Sequence, residues 1–501
     1  MEAMGKNRRP GPLPALALAA AAGLLAGLAL PPLGLPPLLW LALALLWAQA
    51  GSPHPWRGGA LWGAAAVLVS HRWLLWLHPL DWIGVPGPLS LPICLALWLL
   101  IGGLAGLLVA AWVSLARRLD PALPATALLL ALLWGLAEVV LARGPLFWIG
   151  LGVAPLPLDR SLAGLAALGG AGALAALQLL LGWGLWRAWV DPPARRRLLL
   201  GLALLVLVTH LAGAAALAAV RPGSGRLERL MVLQPAIPTR HKFEAAQQRQ
   251  LLGRLLDAQR QAAAAPAATA AASLLLPEGA LALGQPLPEA PELEVLSGGF
   301  RQADTGTRSS LLRFAPGDRD PVGWLDKHRL VPLGEWVPLA GLARWSGLSA
   351  VGGLEPGPSS RLLARPAGAI GVAICYELSD GASLAAASRA GALWLLASAN
   401  LDPYPPLLQH QFSALAQLRA IETGRWLVSA ANTGPSLVID PAGRRVASLP
   451  AGRSAVASVE LRQRSTLTPY DRWGDLPLVV LAVGAALARW RRRGAKGDWN
   501  R

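Results

Sequence analysis

Seven apolar runs fill the first 220 residues, near 13–30, 34–50, 58–78, 88–116, 123–142, 160–186 and 197–220, and an eighth lies near 474–490. A helix needs about 20 mostly apolar residues to cross the hydrocarbon core of a bilayer, so this pattern predicts a polytopic helical domain of about eight spans. Pro31-Pro32-Leu33-Gly34 separates the first run from the second, because Pro and Gly end helices. The first run follows Lys6, Arg8 and Arg9 and continues into further apolar segments without a clear cleavage site, so it reads as a retained helix and not as a signal peptide.

The net charge of +17 would suit a nucleic-acid binder, but its distribution argues against one. The Arg residues sit in short clusters between apolar runs, as a membrane topology requires. With the N-terminus in the cytoplasm, inner loops hold Arg57, then Arg117 and Arg118, then Arg187, Arg195, Arg196 and Arg197. The tail holds Arg489, Arg491, Arg492, Arg493, Lys496 and Arg501 on the same side, while the outer loops hold only Arg143. Positive charge favours the inner side, so the polar region between the seventh and eighth runs is expected outside, in the periplasm. His71 and Arg72, near the outer end of the third run, read as a snorkelling interfacial pair. The expected division is 1–222 membrane helices, 223–470 soluble domain, and 471–501 a last helix with a basic cytoplasmic tail.

Within the soluble region, short β-like runs alternate with helical ones. Strands are predicted at Leu230–Leu233, Ser273–Leu276, Ser309–Phe314, Ala369–Ile374, Ala392–Ala397, Trp426–Ala430 and Ser436–Ile439. Helices are predicted at Glu244–Gln261, Leu384–Arg389 and Gln409–Glu422. That alternation predicts an α/β layer fold. The Gly- and Pro-rich stretch 341–368 reads as a long insertion of the kind that forms lids or binding loops.

Three segments carry candidate chemistry. Glu278 follows a predicted strand in Leu276-Pro277-Glu278-Gly279. Lys327 is one of four Lys in a chain whose cations are otherwise Arg, and Glu335 lies eight residues on. Cys375 ends an apolar strand ahead of Tyr376 and Glu377. Singly, each is more often a loop carboxylate, a surface cation or a packed thiol. Together they supply a general base, an oxyanion-stabilising cation and a nucleophile, which is what acyl transfer through a thioester needs. A thiol at a helix N-terminus is expected to have a lowered pKa.

The order Glu, Lys, Cys with these flanks resembles the carbon–nitrogen hydrolase (nitrilase) superfamily. With the membrane runs, the resemblance extends over nearly the whole chain to its membrane-embedded, lipoprotein-acylating branch. It rests on Leu28–Leu35, Gln234-Pro235-Ala236-Ile237-Pro238, Pro277-Glu278, Leu330–Pro338, Cys375-Tyr376-Glu377, Arg419–Arg425, Ala431-Asn432-Thr433-Gly434 and Gly474-Asp475. It implies an αββα nitrilase-like sandwich on a polytopic helical membrane domain. It implies Glu278 as base, Lys327 as oxyanion stabiliser and Cys375 as nucleophile. Glu335 would position the Lys, and Tyr376 and Glu377 would shape the pocket. The sequence departs from the family pattern at Pro235, at Phe243, at Arg329 (where His is usual), and across Leu401-Asp402-Pro403-Tyr404.

The implied reaction moves an acyl chain from a phospholipid to the N-terminal amine of a diacylglyceryl-modified apolipoprotein, in a bacterial inner membrane. Two alternatives stay open: a membrane-tethered amidase that uses water, and a catalytically silent lipid-binding module. No metal-ligand cluster, phosphate-cradling loop or dinucleotide fingerprint is present, so neither metal nor cofactor is expected. Nucleic acid is not an expected partner, and a monomer is the expected state.

Overall fold

The structure, a computed structural model, describes residues 12–81, 85–220, 225–239, 244–264, 271–332, 334–335, 353–402 and 404–497. Seven apolar helices of 14 to 33 residues precede the polar region: α1 (Pro12–Ala29), α2 (Pro36–Gln49), α3 (Pro55–Ser70), α4 (Gly87–Leu119), α5 (Pro124–Ala142), α7 (Ala166–Val190) and α8 (Arg195–Ala218). A single turn, α6 (Arg160–Ala163), precedes α7. Among the described residues, four helical stretches are long and apolar enough to cross a membrane: Gly87–Leu119, Pro124–Ala142, Ala166–Val190 and Pro192–Ala218. The chain is a membrane protein.

Two of the expected runs are shorter as helices than as apolar sequence. The third stops at Ser70 and continues as a 3-10 turn, Arg72–Leu77. The sixth breaks at Gly170, whose φ of 71° is open to glycine at little cost. His71 and Arg72 do not form a snorkelling pair. His71 is buried, with Nδ1 2.9 Å from Ser70 Oγ and its ring flanked by Trp73 and Trp148. Arg72 turns back and donates to the Val69 carbonyl at 2.8 Å.

Among the described residues, the polar region forms two six-stranded sheets. The first runs β12-β1-β2-β3-β4-β5 and the second β11-β10-β9-β8-β7-β6. Their members are β1 (Leu227–Gln234), β2 (Ser273–Leu275), β3 (Glu294–Gln302), β4 (Thr307–Phe314), β5 (Gly323–Asp326), β6 (Leu362–Leu363), β7 (Ile370–Ile374), β8 (Leu395–Ala399), β9 (Leu427–Ala431), β10 (Leu437–Ile439), β11 (Arg445–Ser448) and β12 (Ala455–Arg462). Alternation along each strand divides the two cores. Leu230 and Val232 of β1 face Val372, Ile374 and Leu396 between the sheets. Met231 and Leu233 face Leu251 and Leu255 of α9 (Ala245–Ala263) on the outside. The outer face of the second sheet carries α10 (Gly381–Arg389) and α11 (Pro406–Thr423). The fold is therefore an αββα sandwich, as expected.

Phe412 and Leu415 of α11 belong to one continuous apolar cluster with the membrane helices. The chain then passes through α12 (Pro469–Trp473) into α13 (Leu476–Gly497), which packs on α5. At the junction the break in α7 frees the Ala171 N–H, and Glu422 of α11 accepts it at 2.9 Å. The Tyr470 ring fills the space a side chain at Gly170 would need.

Residues 341–352 of the expected 341–368 insertion lie outside the described residues. The rest is no lid. Leu354 bridges to Thr307, Gly357 N–H donates to the Lys327 carbonyl at 2.8 Å, and Arg361 and Arg365 are buried.

Candidate active site

The strands that end near one another carry the candidate chemistry, as expected at the carboxyl edge of parallel strands. β1 and β2 are parallel in one sheet, and β7, β8 and β9 in the other. After β2, Leu276 N–H bonds the Leu296 carbonyl, and Pro277-Glu278-Gly279 turns across β3 with Gly279 at φ 62°. Gly298 of β3 passes directly beneath that turn: a Cβ there would lie 2.4 Å from both Glu278 Cα and the Pro277 carbonyl oxygen.

Lys327 follows β5 and is 1% exposed. Its Nζ donates to Glu278 Oε1 at 2.7 Å and to Glu335 Oε1 at 2.8 Å. The eight-residue spacing to Glu335 is closed by a local turn in which Glu335 Oε2 accepts the Val331 N–H at 2.9 Å. Burial alone would lower the Lys327 pKa, but Glu278 and Glu335 outweigh it and hold the ammonium well above its ordinary value. Burial raises the Glu335 carboxyl, with Lys327 opposing.

Cys375 directly follows β7, has φ 55°, and opens a five-residue 3-10 turn, Cys375–Ser379. The thiol hydrogen-bonds Glu278. The expectation of a lowered thiol pKa is wrong. A short turn supplies little dipole. Burial, then the Glu278 charge, push the thiol well above its ordinary value, against the opposing pull of Lys327. These contributions favour the protonated sulfur.

The supporting residues divide into two roles. Tyr376 lies over the site, its ring 5.7 Å from Lys327 Nζ and 4.7 Å from the Arg329 guanidinium, with its hydroxyl donating to the Leu330 carbonyl at 2.6 Å. Glu377 points the other way and acts as a bracket. Its carboxylate accepts the N–H groups of His328 (2.8 Å), Arg329 (3.1 Å) and Ile374 (2.9 Å), and pairs with buried Arg361 at 3.0 Å. Arg361 also donates to the Asp326 carbonyl at 2.9 Å. One buried ion pair thus fixes the Lys327 loop to the Cys375 turn across the two sheets.

Two contributors were missed from sequence. Arg361 is one Arg among many, and nothing local marks it. Asn400, at the end of β8, donates its N–H to Glu278 Oε2 at 3.3 Å, and its side chain accepts from Asn432 at 2.7 Å. An Asn three residues beyond the predicted strand Ala392–Ala397 is the available signal. Among the departures, Pro235 and Asp402 sit at the rim, where Arg254 donates to the Pro235 carbonyl and Asp402 accepts the Thr239 N–H at 2.7 Å. Tyr404 stands edge-on to Trp73 of the membrane domain, 5.5 Å between rings. Burial holds its hydroxyl far above its ordinary pKa. Phe243 and Pro403 lie outside the described residues.

A family model described as carbon-nitrogen hydrolase matches residues 308–470. Over 499 residues the chain is 47% identical to the apolipoprotein N-acyltransferase of Prochlorococcus marinus (strain MIT 9313), covering 95% of this chain and 97% of that protein. The chain belongs to the apolipoprotein N-acyltransferase family. The enzyme of that name from Parasynechococcus marenigrum (strain WH8102) is 49% identical over 457 residues, covering 90% of this chain and 95% of that one. Saccharomyces cerevisiae Nit3, of the nitrilase superfamily, superposes with a TM-score of 0.36 at 16% identity, over 47% of this chain and 90% of that one. As an apolipoprotein N-acyltransferase family member, the protein is an acyltransferase with a role in lipoprotein maturation.

Proposed function

We propose that Glu278, Lys327 and Cys375 are the catalytic residues of a ping-pong acyl transfer from phospholipid to apolipoprotein. The observation that carries this is one buried ammonium held between two carboxylates beside a partly buried thiol. Glu278 takes the Cys375 proton, and the sulfur attacks an ester carbonyl of the phospholipid. Lys327 stabilises the oxyanion. The C–O bond breaks, and Glu278 returns the proton to the leaving glycerol oxygen, releasing lysophospholipid and leaving an acyl thioester. The N-terminal amine of a diacylglyceryl-modified apolipoprotein then attacks the thioester. Glu278 removes its proton, the C–S bond breaks, and the thiolate regains a proton. Glu335 positions Lys327, and Tyr376 and Glu377 support the turn.

The donor lipid reaches the site from the membrane domain. A cavity of about 200 Å³ lies among α1, α3, α4 and α5, with walls apolar except at Ser70 and Glu138. The Ser70 carbonyl accepts from Gln411 of the catalytic domain at 2.8 Å, so the chamber ends beneath that domain. Its walls suit a hydrocarbon chain. Residues 1–222 and 471–501 would form the membrane part and 223–470 the catalytic domain. The Arg-rich loops support an inner-membrane topology with both termini cytoplasmic and the catalytic domain periplasmic.

The test is purified full-length protein in detergent with labelled phospholipid. An acyl thioester on Cys375, absent in Cys375→Ala and discharged by a diacylglyceryl peptide to give an amide, is expected. Label that persists in Cys375→Ala, or discharge to free fatty acid alone, would reject the assignment.

A further inference from the structure

Arg329 stands where the resembled family usually has His, and its surroundings set it apart from Lys327, Arg361 and Arg143. Lys327 is paired with Glu278 and Glu335, Arg361 with Glu377, and Arg143 with Asp475 and Asp380. Among the described residues, the Arg329 guanidinium has only neutral partners. Its Nη1 donates to Ser379 Oγ at 3.1 Å, its Nη2 to the Gly144 carbonyl, and its plane lies over Tyr376. Among the described residues no carboxylate lies within 4.0 Å of it, and its Nε–H is covered without an acceptor. A half-buried cation without a counter-ion is unfavourable, so an anion is the missing partner.

The position identifies that anion. Gly144 lies two residues beyond the end of α5, at the mouth of the membrane bundle, and Ser379 also donates to Ala142 at 2.9 Å. Tyr376, which Arg329 covers, is the neighbour of Cys375. In a phospholipid the ester carbonyl and the phosphate are joined through one glycerol unit, so a carbonyl at the sulfur puts the phosphate about one side chain away. A guanidinium matches phosphate with paired N–H groups. We propose that Arg329 binds the phosphate of the donor phospholipid, positions its ester over Cys375, and makes the enzyme selective for phosphate-bearing acyl donors. This rests on the proposed phospholipid donor.

The experiment compares wild type with Arg329→Gln, Arg329→Lys and Arg329→His, as full-length protein in detergent. Two donors with identical acyl chains are used, a phospholipid and the corresponding diacylglycerol, and the rate of Cys375 thioester formation is read by intact mass. Loss of a charge-assisted contact predicts that Arg329→Gln lowers the phospholipid-to-diacylglycerol rate ratio about tenfold or more. Arg329→Lys keeps most of the ratio, and Arg329→His keeps part of it. Transfer from preformed acyl-enzyme to a diacylglyceryl peptide, which carries no phosphate, keeps its rate relative to thioester formation from diacylglycerol. An unchanged ratio overturns the proposal, whether both rates fall together, as for a mere brace of the Lys327 loop, or neither falls. Acceleration of wild-type acylation from diacylglycerol by millimolar inorganic phosphate would assign the site to a free anion and overturn the lipid reading. No thioester in wild type with either donor would instead reject the catalytic reading itself.

Discussion

Gly298→Ala tests whether the site depends on the close pass of β3 under the Glu278 turn. The added Cβ would lie 2.4 Å from Glu278 Cα, 2.4 Å from the Pro277 oxygen and 2.7 Å from Gly279 N, all backbone atoms with no flexible end to give way. Restoring ordinary contact near 3.4 Å requires a shift of about 1 Å. Overpacking of this kind costs about 1–3 kcal/mol. Misplacing a reacting group by about 1 Å costs on the order of a hundredfold in rate. Because Glu278 holds both the Cys375 thiol and Lys327, the expected result is a hundredfold loss of thioester formation, with the unfolding midpoint lowered by about 2–10 °C. Gly299→Ala is the control. Its Cβ would first meet Leu312 Cδ1, the movable end of a side chain, at 2.9 Å. It is expected to cost stability with much less effect on rate. Gly298→Ala enzyme that acylates within about threefold of wild type would refute the reasoning.

Three further outcomes are expected. Glu377→Ala strands buried Arg361 and should destabilise the protein by about 3–5 kcal/mol. Glu377→Gln should cost less, about 1.5–3 kcal/mol, and still slow acylation, and an unchanged melting curve would contradict the bracket. Cys375, a thiol raised by burial, should react with iodoacetamide more slowly than free cysteine at pH 8, and Lys327→Met should slow it further; a rate that plateaus below pH 7 would show a thiolate instead. Burial raises the Glu422 carboxyl from 4.5 to about 7, so its contribution is full below pH 4.5 and lost as pH rises through 7. That shift is worth roughly 3 kcal/mol, so Glu422→Gln should flatten the fall in melting temperature between pH 5 and pH 8, and an unaltered slope would reject the role.

The apolar runs were legible because twenty consecutive apolar residues have few other uses. The strands that were read, such as β1 and β7, are apolar and bounded by turn residues. Those that were missed break the pattern for local reasons. β3 carries Gly298 and Gly299, needed for close passage, and Arg301, needed to hold Asp326 at 2.6 Å. β12 alternates buried Val459 and Leu461 with exposed neighbours at a sheet edge. Glu278, Lys327 and Cys375 stood out by residue type and strand-end position. Arg361 did not, because its role exists only once Glu377 is folded opposite it. The thiol pKa was misjudged for the same reason: the sequence shows a turn after the Cys, but not the burial that decides the sign.

On the proposed mechanism, that burial also explains why the ammonium must sit between two carboxylates. Withdrawing a thiol from water to meet a lipid ester makes its thiolate costly. The same withdrawal would neutralise a lone Lys, leaving no cation for the oxyanion. Glu278 and Glu335 together reverse this for Lys327, and the second carboxylate leaves the first able to accept a proton without stranding the ammonium. Removing Glu335 should therefore impair the protonated-Glu278 stage of the cycle more than the resting state. Glu335→Gln is expected to bind lipid donor with little change and to form thioester far more slowly. Equal losses in both would mean that Glu335 shapes the pocket and does not hold the charge.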